Sequence, residues 1–259
     1  MTSMTLFGIA TATELTKFRR ALLPRIATVM LVGGITAIAS SFMWASLQPG
    51  SAMAIKLAAL VTEDGWAGYL GLTSQIAATA GGIGPGVVLA WLFGREFADG
   101  TITGLFALPV DRATIARAKL LVFAGWSLAF CLALVALLIV VGMVLGLGLP
   151  GETAMARAGK LLVVLLLSST LSLPAGLAAS LTKGYLGGIG AVIAIVIVSQ
   201  IAVATGAGGW FTFAAPGLWA ATPGASVDAT TLVQLLLVLP LSALFAVWIV
   251  HVWRRLQLT

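Results

Sequence analysis

The side chains that could do chemistry are few, and no set among them points to covalent catalysis. The chain holds one histidine, His251, and one cysteine, Cys131. No Cys/His pair, no Ser-His-Asp set and no buried carboxylate pair can be read from it. No G-x-x-x-x-G-K-[ST] loop occurs. Gly159-Lys160 lacks both the upstream glycine and the following Ser/Thr, so the chain carries no ATPase of its own. No metal-ligand cluster is visible. The remaining chemistry is non-covalent, and two groups of residues could do it. One is polar side chains inside apolar runs: Gln75 and Thr79 one helical turn apart, Ser199 with Gln200, and Ser168, Ser169, Thr170 and Ser172 together. The other is Gly94–Lys119, where Arg95, Glu96, Asp99, Asp111, Arg112, Arg117 and Lys119 surround an apolar TITGLFAL.

The elements that must position these groups follow from composition. Of 259 residues, 60% are hydrophobic and 8% charged, against about 25% charged in soluble proteins. The chain reads as an integral membrane protein. Six runs reach the roughly 20 residues that a bilayer core needs: Leu23–Trp44, Thr73–Phe93, Leu120–Leu147, Leu161–Leu181, Leu186–Thr205 and Leu232–Val252. Pro85, Pro174 and Pro240 interrupt three of them without vetoing a span. Ala52-Met53-Ala54 resembles a cleavage site, but the preceding run exceeds a signal h-region of about 7–15 residues and reads as a retained helix. Cys131 reads as a small buried hydrophobe.

Six spans put both termini on one side. That side carries Lys17, Arg19, Arg20, Arg25, Arg95, Arg112, Arg117, Lys119, Lys183, Arg254 and Arg255, and the other only Lys56, Arg157 and Lys160. Both termini are therefore expected in the cytoplasm. The net charge of +6 belongs to a membrane-facing inner surface, not to a nucleic-acid site. No Asp, Glu, Lys or Arg lies at the middle of a span, which argues against an ion-driven transporter; haem ligands are missing too.

The 94–119 segment then reads as a cytoplasmic link between spans two and three. Gly100 ends the second span and Thr101 caps a short helix. That helix, about Thr101–Leu108, shows Ile102, Leu105 and Phe106 on one face. Pro109 breaks it, and Asp111 caps the third span's extension. It is either an interfacial connector or a helix that docks in a groove on a soluble partner.

The run Phe93-Gly94-Arg95-Glu96-Phe97-Ala98-Asp99-Gly100-Thr101-Ile102-Thr103, with Leu108-Pro109-Val110 and the basic Arg112…Lys119 stretch, resembles the permease subunits of type-2 ABC exporters, especially the group containing bacitracin and lantibiotic exporters. The motif covers the loop alone; the six-span layout matches over the whole length. The resemblance implies that the loop is the coupling helix, with Glu96, Asp99 and Thr101 as polar contacts and Ile102, Leu105 and Phe106 as the docking knuckle for a separate ATP-binding subunit. ATP and Mg are expected on that partner, and no cofactor on this chain. It also implies a second permease copy (a homodimer in preference to a heterodimer), an interface helix over about 1–22, and a path lined by spans two and five, hence Gln75, Thr79, Ser199 and Gln200.

The connector Gly206–Asp228 is too apolar for an exposed loop. Trp210, Phe211, Phe213 and Trp219 form either an aromatic belt or, as the resemblance implies, a re-entrant hairpin capping the outer exit. Ala52–Gly65 reads as a short surface helix without an assigned role. The expected whole is one all-α permease domain of 259 residues, multi-pass in a bacterial or archaeal-type plasma membrane and in contact with lipid. It would export a hydrophobic or amphipathic cargo by alternating access. The alternatives are a secondary transporter or channel, and a membrane anchor for another complex.

Overall fold

The computed structural model describes residues 3–46, 63–106 and 110–257, which are helical throughout with no strand among them. The short helix read from Ala52–Gly65, Lys56 with it, falls mostly outside these residues, as do Pro109 and the side chain of Phe106. Helix α1 (Ser3–Arg20) precedes a first span built from α2 (Leu22–Val29), a π turn at Met30–Gly34, and α3 (Ile35–Ser46). The second span is α4 (Gly65–Ala98), followed by the short α5 (Ile102–Phe106) and the third span, α6 (Arg112–Val144). The fourth is α7 (Glu152–Thr170) plus α8 (Leu173–Leu181), the fifth α9 (Tyr185–Ala204). Two 3-10 turns and α10 (Ala215–Ala221) lead to the sixth span, α11 (Ala229–Arg254).

Among the described residues, six helices are long and apolar enough to cross a membrane. They run past the apolar stretches that reveal them. The 34 residues of α4 extend about 51 Å at 1.5 Å per residue, well beyond a hydrocarbon core of about 30 Å. A helix need not stop at the interface, so Arg95 and Glu96 belong to the last turn of α4 rather than to a loop beyond it. Gly100 follows at φ +67°, the left-handed position for which glycine is favoured after a helix.

Proline placement explains the breaks. Pro24 sits in the first turn of α2, where its missing N–H costs nothing; the chain turns at extended Ala21, so α1 is a separate helix. Pro174 opens α8 and divides the fourth span. The carbonyls near that break are bonded by the hydroxyl cluster itself. Ser172 Oγ donates to Ser169 O at 2.6 Å, Thr170 Oγ1 to Leu167 O at 2.9 Å and Ser169 Oγ to Leu166 O at 2.9 Å. These hydroxyls serve their own helix.

The second span is central, packing against α7, α8, α9, α3 and α10. Its glycines let the others close in. A Cβ on Gly188 of α9 would lie 2.5 Å from Ala175 O, 2.6 Å from Ala90 Cβ and 3.0 Å from Ala179 Cβ. The second, fourth and fifth spans thus meet where no side chain fits. Gly188→Ala is expected to lower stability by about 1–3 kcal/mol through overpacking, read as reduced thermal unfolding temperature in neutral detergent.

Candidate functional site

At one end of the bundle, α1 lies across spans two and three. Its inward stripe is Phe7, Ala10, Glu14 and Phe18, the last three buried, while Met4 and Leu15 are exposed. Met4 and Leu15, though apolar, lie off this stripe. The face turns because of Glu14, which meets a buried lysine. Lys119 of α6 is fully buried. It donates to Glu14 Oε2 at 2.8 Å, Glu96 Oε1 at 3.1 Å and Leu92 O at 3.1 Å. All three ammonium protons are used, the condition under which a buried lysine is tolerated. Lys17 adds bonds to Glu14 at 3.1 Å and Glu96 at 3.4 Å, and Arg95 lies within 3.6 Å of both carboxylates. Arg95 also stacks over Trp91 at 4.7 Å, and Lys119 lies 5.7 Å from the ring of Trp253 on the last span. A buried carboxylate pair therefore exists, contrary to the reading of the sequence. Its two members come from distant helices and share a cation.

The same cluster reaches α5. Thr101 Oγ1 donates to Glu96 Oε2 at 2.6 Å, so this hydroxyl anchors the short helix to α4 instead of capping its amides. Asp111 stands at the N-cap of α6, with Ile115 and Thr114 amides on its carbonyl and no side-chain bond. Leu105 is 7% exposed and belongs to the apolar core with Phe18, Phe93, Ile115 and Trp253, and half-buried Ile102 packs on that core. Ile102 and Leu105 pack against the core of their own subunit, where they seat the short helix. The face left exposed is Asp99, Thr103 and Gly104. The residues after the last span reach this same end, where Arg112 Nη1 donates to Leu256 O.

Burial alone would raise the Glu14 carboxyl, but the Lys119 ammonium with its hydrogen bond, then Lys17, outweigh burial and hold it below the usual carboxylate range, against an opposing push from Glu96. A depressed carboxylate stabilises the fold above its unfolded pKa of about 4.3 and loses that contribution as pH falls further. Docking of α1 should be constant from neutral pH to about 5 and weaken below about 4. Trypsin cleavage after acid exposure at Arg19 or Arg20, scored against pH, checks this.

The middle of the bundle holds an open cavity of about 290 Å³. All four polar residues assigned to spans two and five line it: Gln75, Thr79, Ser199 and Gln200. Ser168 and Ser172 join them from the fourth span, while Ser169 is turned away and 1% exposed. Phe213, Ala214, Gly217 and Leu218 close the cavity at the far end, so the Gly206–Asp228 segment forms part of its wall. Its aromatics divide. Trp219 is buried and its indole donates to Ser226 O at 3.3 Å; Phe213 stacks with Phe211 and Phe245; Trp210 is 94% exposed.

Behind Gln75 and Ala221 a small polar recess opens, lined also by Glu63, Arg157 and Thr222. Arg157 is buried and bonded to the carboxylate of Glu63. Lys160 donates to Thr222 O at 2.7 Å, Thr222 Oγ1 at 3.2 Å and Gly224 O at 3.0 Å, tying the segment between spans five and six to the fourth span. Arg157 and Lys160 gave no functional signal in the sequence beyond their side of the membrane.

An all-helical bundle of six membrane-length helices, with a polar-dotted cavity and a charge cluster joining its surface helices, defines a membrane transport subunit. The chain belongs to the ABC-2 family transporter proteins, whose family model matches residues 10–201. No curated protein matches it. It is therefore a multi-pass permease of an ABC transporter, generally non-catalytic, with ATP hydrolysis in a separate ATP-binding subunit.

Proposed function

We propose that this permease exports a hydrophobic or amphipathic cargo, as in the bacitracin and lantibiotic exporter group, working by alternating access as a homodimer in a bacterial-type plasma membrane. The observation that carries this reading is the cavity, where the carboxamides of Gln75 and Gln200 and the hydroxyls of Thr79, Ser168, Ser172 and Ser199 dot a mostly apolar wall. Such a wall suits an apolar body with a few hydrogen-bonding groups. Lipid surrounds the outer faces. The end bearing α1 and α5 faces the cytoplasm, as the basic residues there favour. ATP and Mg act on the partner subunit, which meets Asp99, Thr103 and Gly104. Its motion passes through Thr101 and Glu96 to Lys119, and so to α1 and the spans. The hairpin with Phe213 and Trp219 closes the outer exit.

The test is co-purification and transport. A tagged chain should retain an ATP-binding subunit in neutral detergent, and Gly104→Arg with Thr103→Arg should lose it while unfolding at the wild-type temperature. ATP-dependent movement of an amphipathic dye in inverted vesicles should disappear with it. Export that proceeds without ATP, or full retention of the partner by the double variant, sinks this reading.

A further inference from the structure

The cavity is neutral over most of its wall, but its hairpin end is not. Gln75 and Ala221 line both the cavity and the recess behind it, so the two spaces adjoin. Arg157, 5% exposed, lines the recess with Glu63, and Lys160, 3% exposed, lies next to it on Thr222. The cations also differ in how well they are satisfied. Lys160 has three oxygen acceptors from the hairpin. Arg157 has only Glu63, and its Nε is buried with no partner among the described residues. A desolvated donor left unpaired is unfavourable, and a guanidinium fork is shaped to take a carboxylate through two parallel N–H bonds. Glu63 itself is 34% exposed at its side chain, so it can swing away into water. The recess, about 30 Å³, admits about two water-sized groups, which matches a carboxylate and excludes a ring.

We propose that the cavity and its recess bind an amphipathic carboxylate, whose apolar body lies against Ala78, Val192, Val196 and Leu218 and whose carboxylate displaces Glu63 from Arg157. The inference rests on the cavity being the cargo path and adds the cargo's charge and orientation, with the acidic group toward the hairpin. Arg157 then exchanges between two carboxylates. It is held by Glu63 when the site is empty and by cargo when it is filled. Gln75 stands at the junction, where its carboxamide can donate to the second carboxylate oxygen. No bond is made or broken in this exchange except hydrogen bonds.

The experiment is equilibrium binding of radiolabelled dodecanoate to the purified chain in zwitterionic-lipid nanodiscs, with empty nanodiscs subtracted and dodecanol as the neutral comparison. Saturable dodecanoate binding, tighter than dodecanol by about tenfold or more, is expected. Arg157→Gln should lose that preference and Arg157→Lys should keep part of it. Glu63→Gln separates binding from mere bracing. It removes the competitor and should tighten dodecanoate binding several-fold, whereas a purely structural ion pair would make the same variant weaker and less stable. Equal binding of dodecanol, no saturable binding above empty nanodiscs, or weaker binding by Glu63→Gln overturns the proposal. The assay needs no ATPase. A chain that binds dodecanoate yet lacks an ATP-binding partner refutes the exporter reading alone, and one that has the partner but ignores dodecanoate refutes this inference alone.

Discussion

Lys119→Met should release α1 from the bundle and lower stability by about 3–5 kcal/mol, the cost of stranding buried charge by removing its partner. Glu14 and Glu96 are each about 3% exposed and share this one ammonium. Without it, two carboxylates face each other in a site that water barely reaches, with only half-exposed Lys17 and Arg95 to hold them apart. The variant should unfold at a clearly lower temperature in neutral detergent, and trypsin should cut at Arg19 and Arg20 faster than in the wild type. The combined variant Glu14→Gln, Glu96→Gln, Lys119→Met is the informative companion. Replacing a whole buried ion cluster by neutral side chains of similar volume is often near neutral, so the triple variant should regain most of the lost stability. It should still lose coupling, since the link from Thr101 to α1 runs through these groups. A single Lys119→Met variant with wild-type unfolding and proteolysis would mean that the cluster is solvated.

This cluster also marks where the sequence stopped being legible. Spans are readable because a bilayer demands a long apolar run, and that demand leaves its mark on contiguous residues. A tertiary ion cluster leaves none, since Glu14, Glu96 and Lys119 each read locally as ordinary interfacial charge. An acid on a buried stripe, as Glu14 is between Ala10 and Phe18 of α1, calls for a buried cation, and Lys119 supplies it. Spacing at i and i+3 gives α5 an apolar face but not what covers it; Leu105 and Ile102 rest on the core of their own chain. The four polar residues meet at one cavity because Gln75 and Thr79 are one turn apart, and Ser199 and Gln200 sit on a helix that approaches α4 through Gly86 and Gly188. Arg157 and Lys160 were hidden by the hairpin that buries them, which only the fold could supply.

Thr79→Trp should abolish transport while leaving the protein folded and its partner's ATP hydrolysis running. Thr79 sits half-buried on the cavity wall with Gly82 and Gln75 on the same face, so an indole can enter open space without displacing core atoms. Tryptophan carries the largest side chain, and from position 79 it would project into this cavity of about 290 Å³. Ser169→Trp is the contrasting change. Ser169 is 1% exposed, is absent from the cavity wall and gives its hydroxyl to Leu166 O. A tryptophan there must overpack the core, at a cost of about 1–3 kcal/mol or more, and should reduce the yield of folded protein instead of blocking a path. ATP-dependent uptake of an amphipathic dye into inverted vesicles, normalised to folded permease, separates the two. Cysteine at position 79 adds the geometry, and because native Cys131 is fully buried the background stays quiet. Cross-links between two copies at 79 and none at 169 would put the cavity on a seam between subunits. Normal transport by Thr79→Trp would remove the cavity from the path altogether.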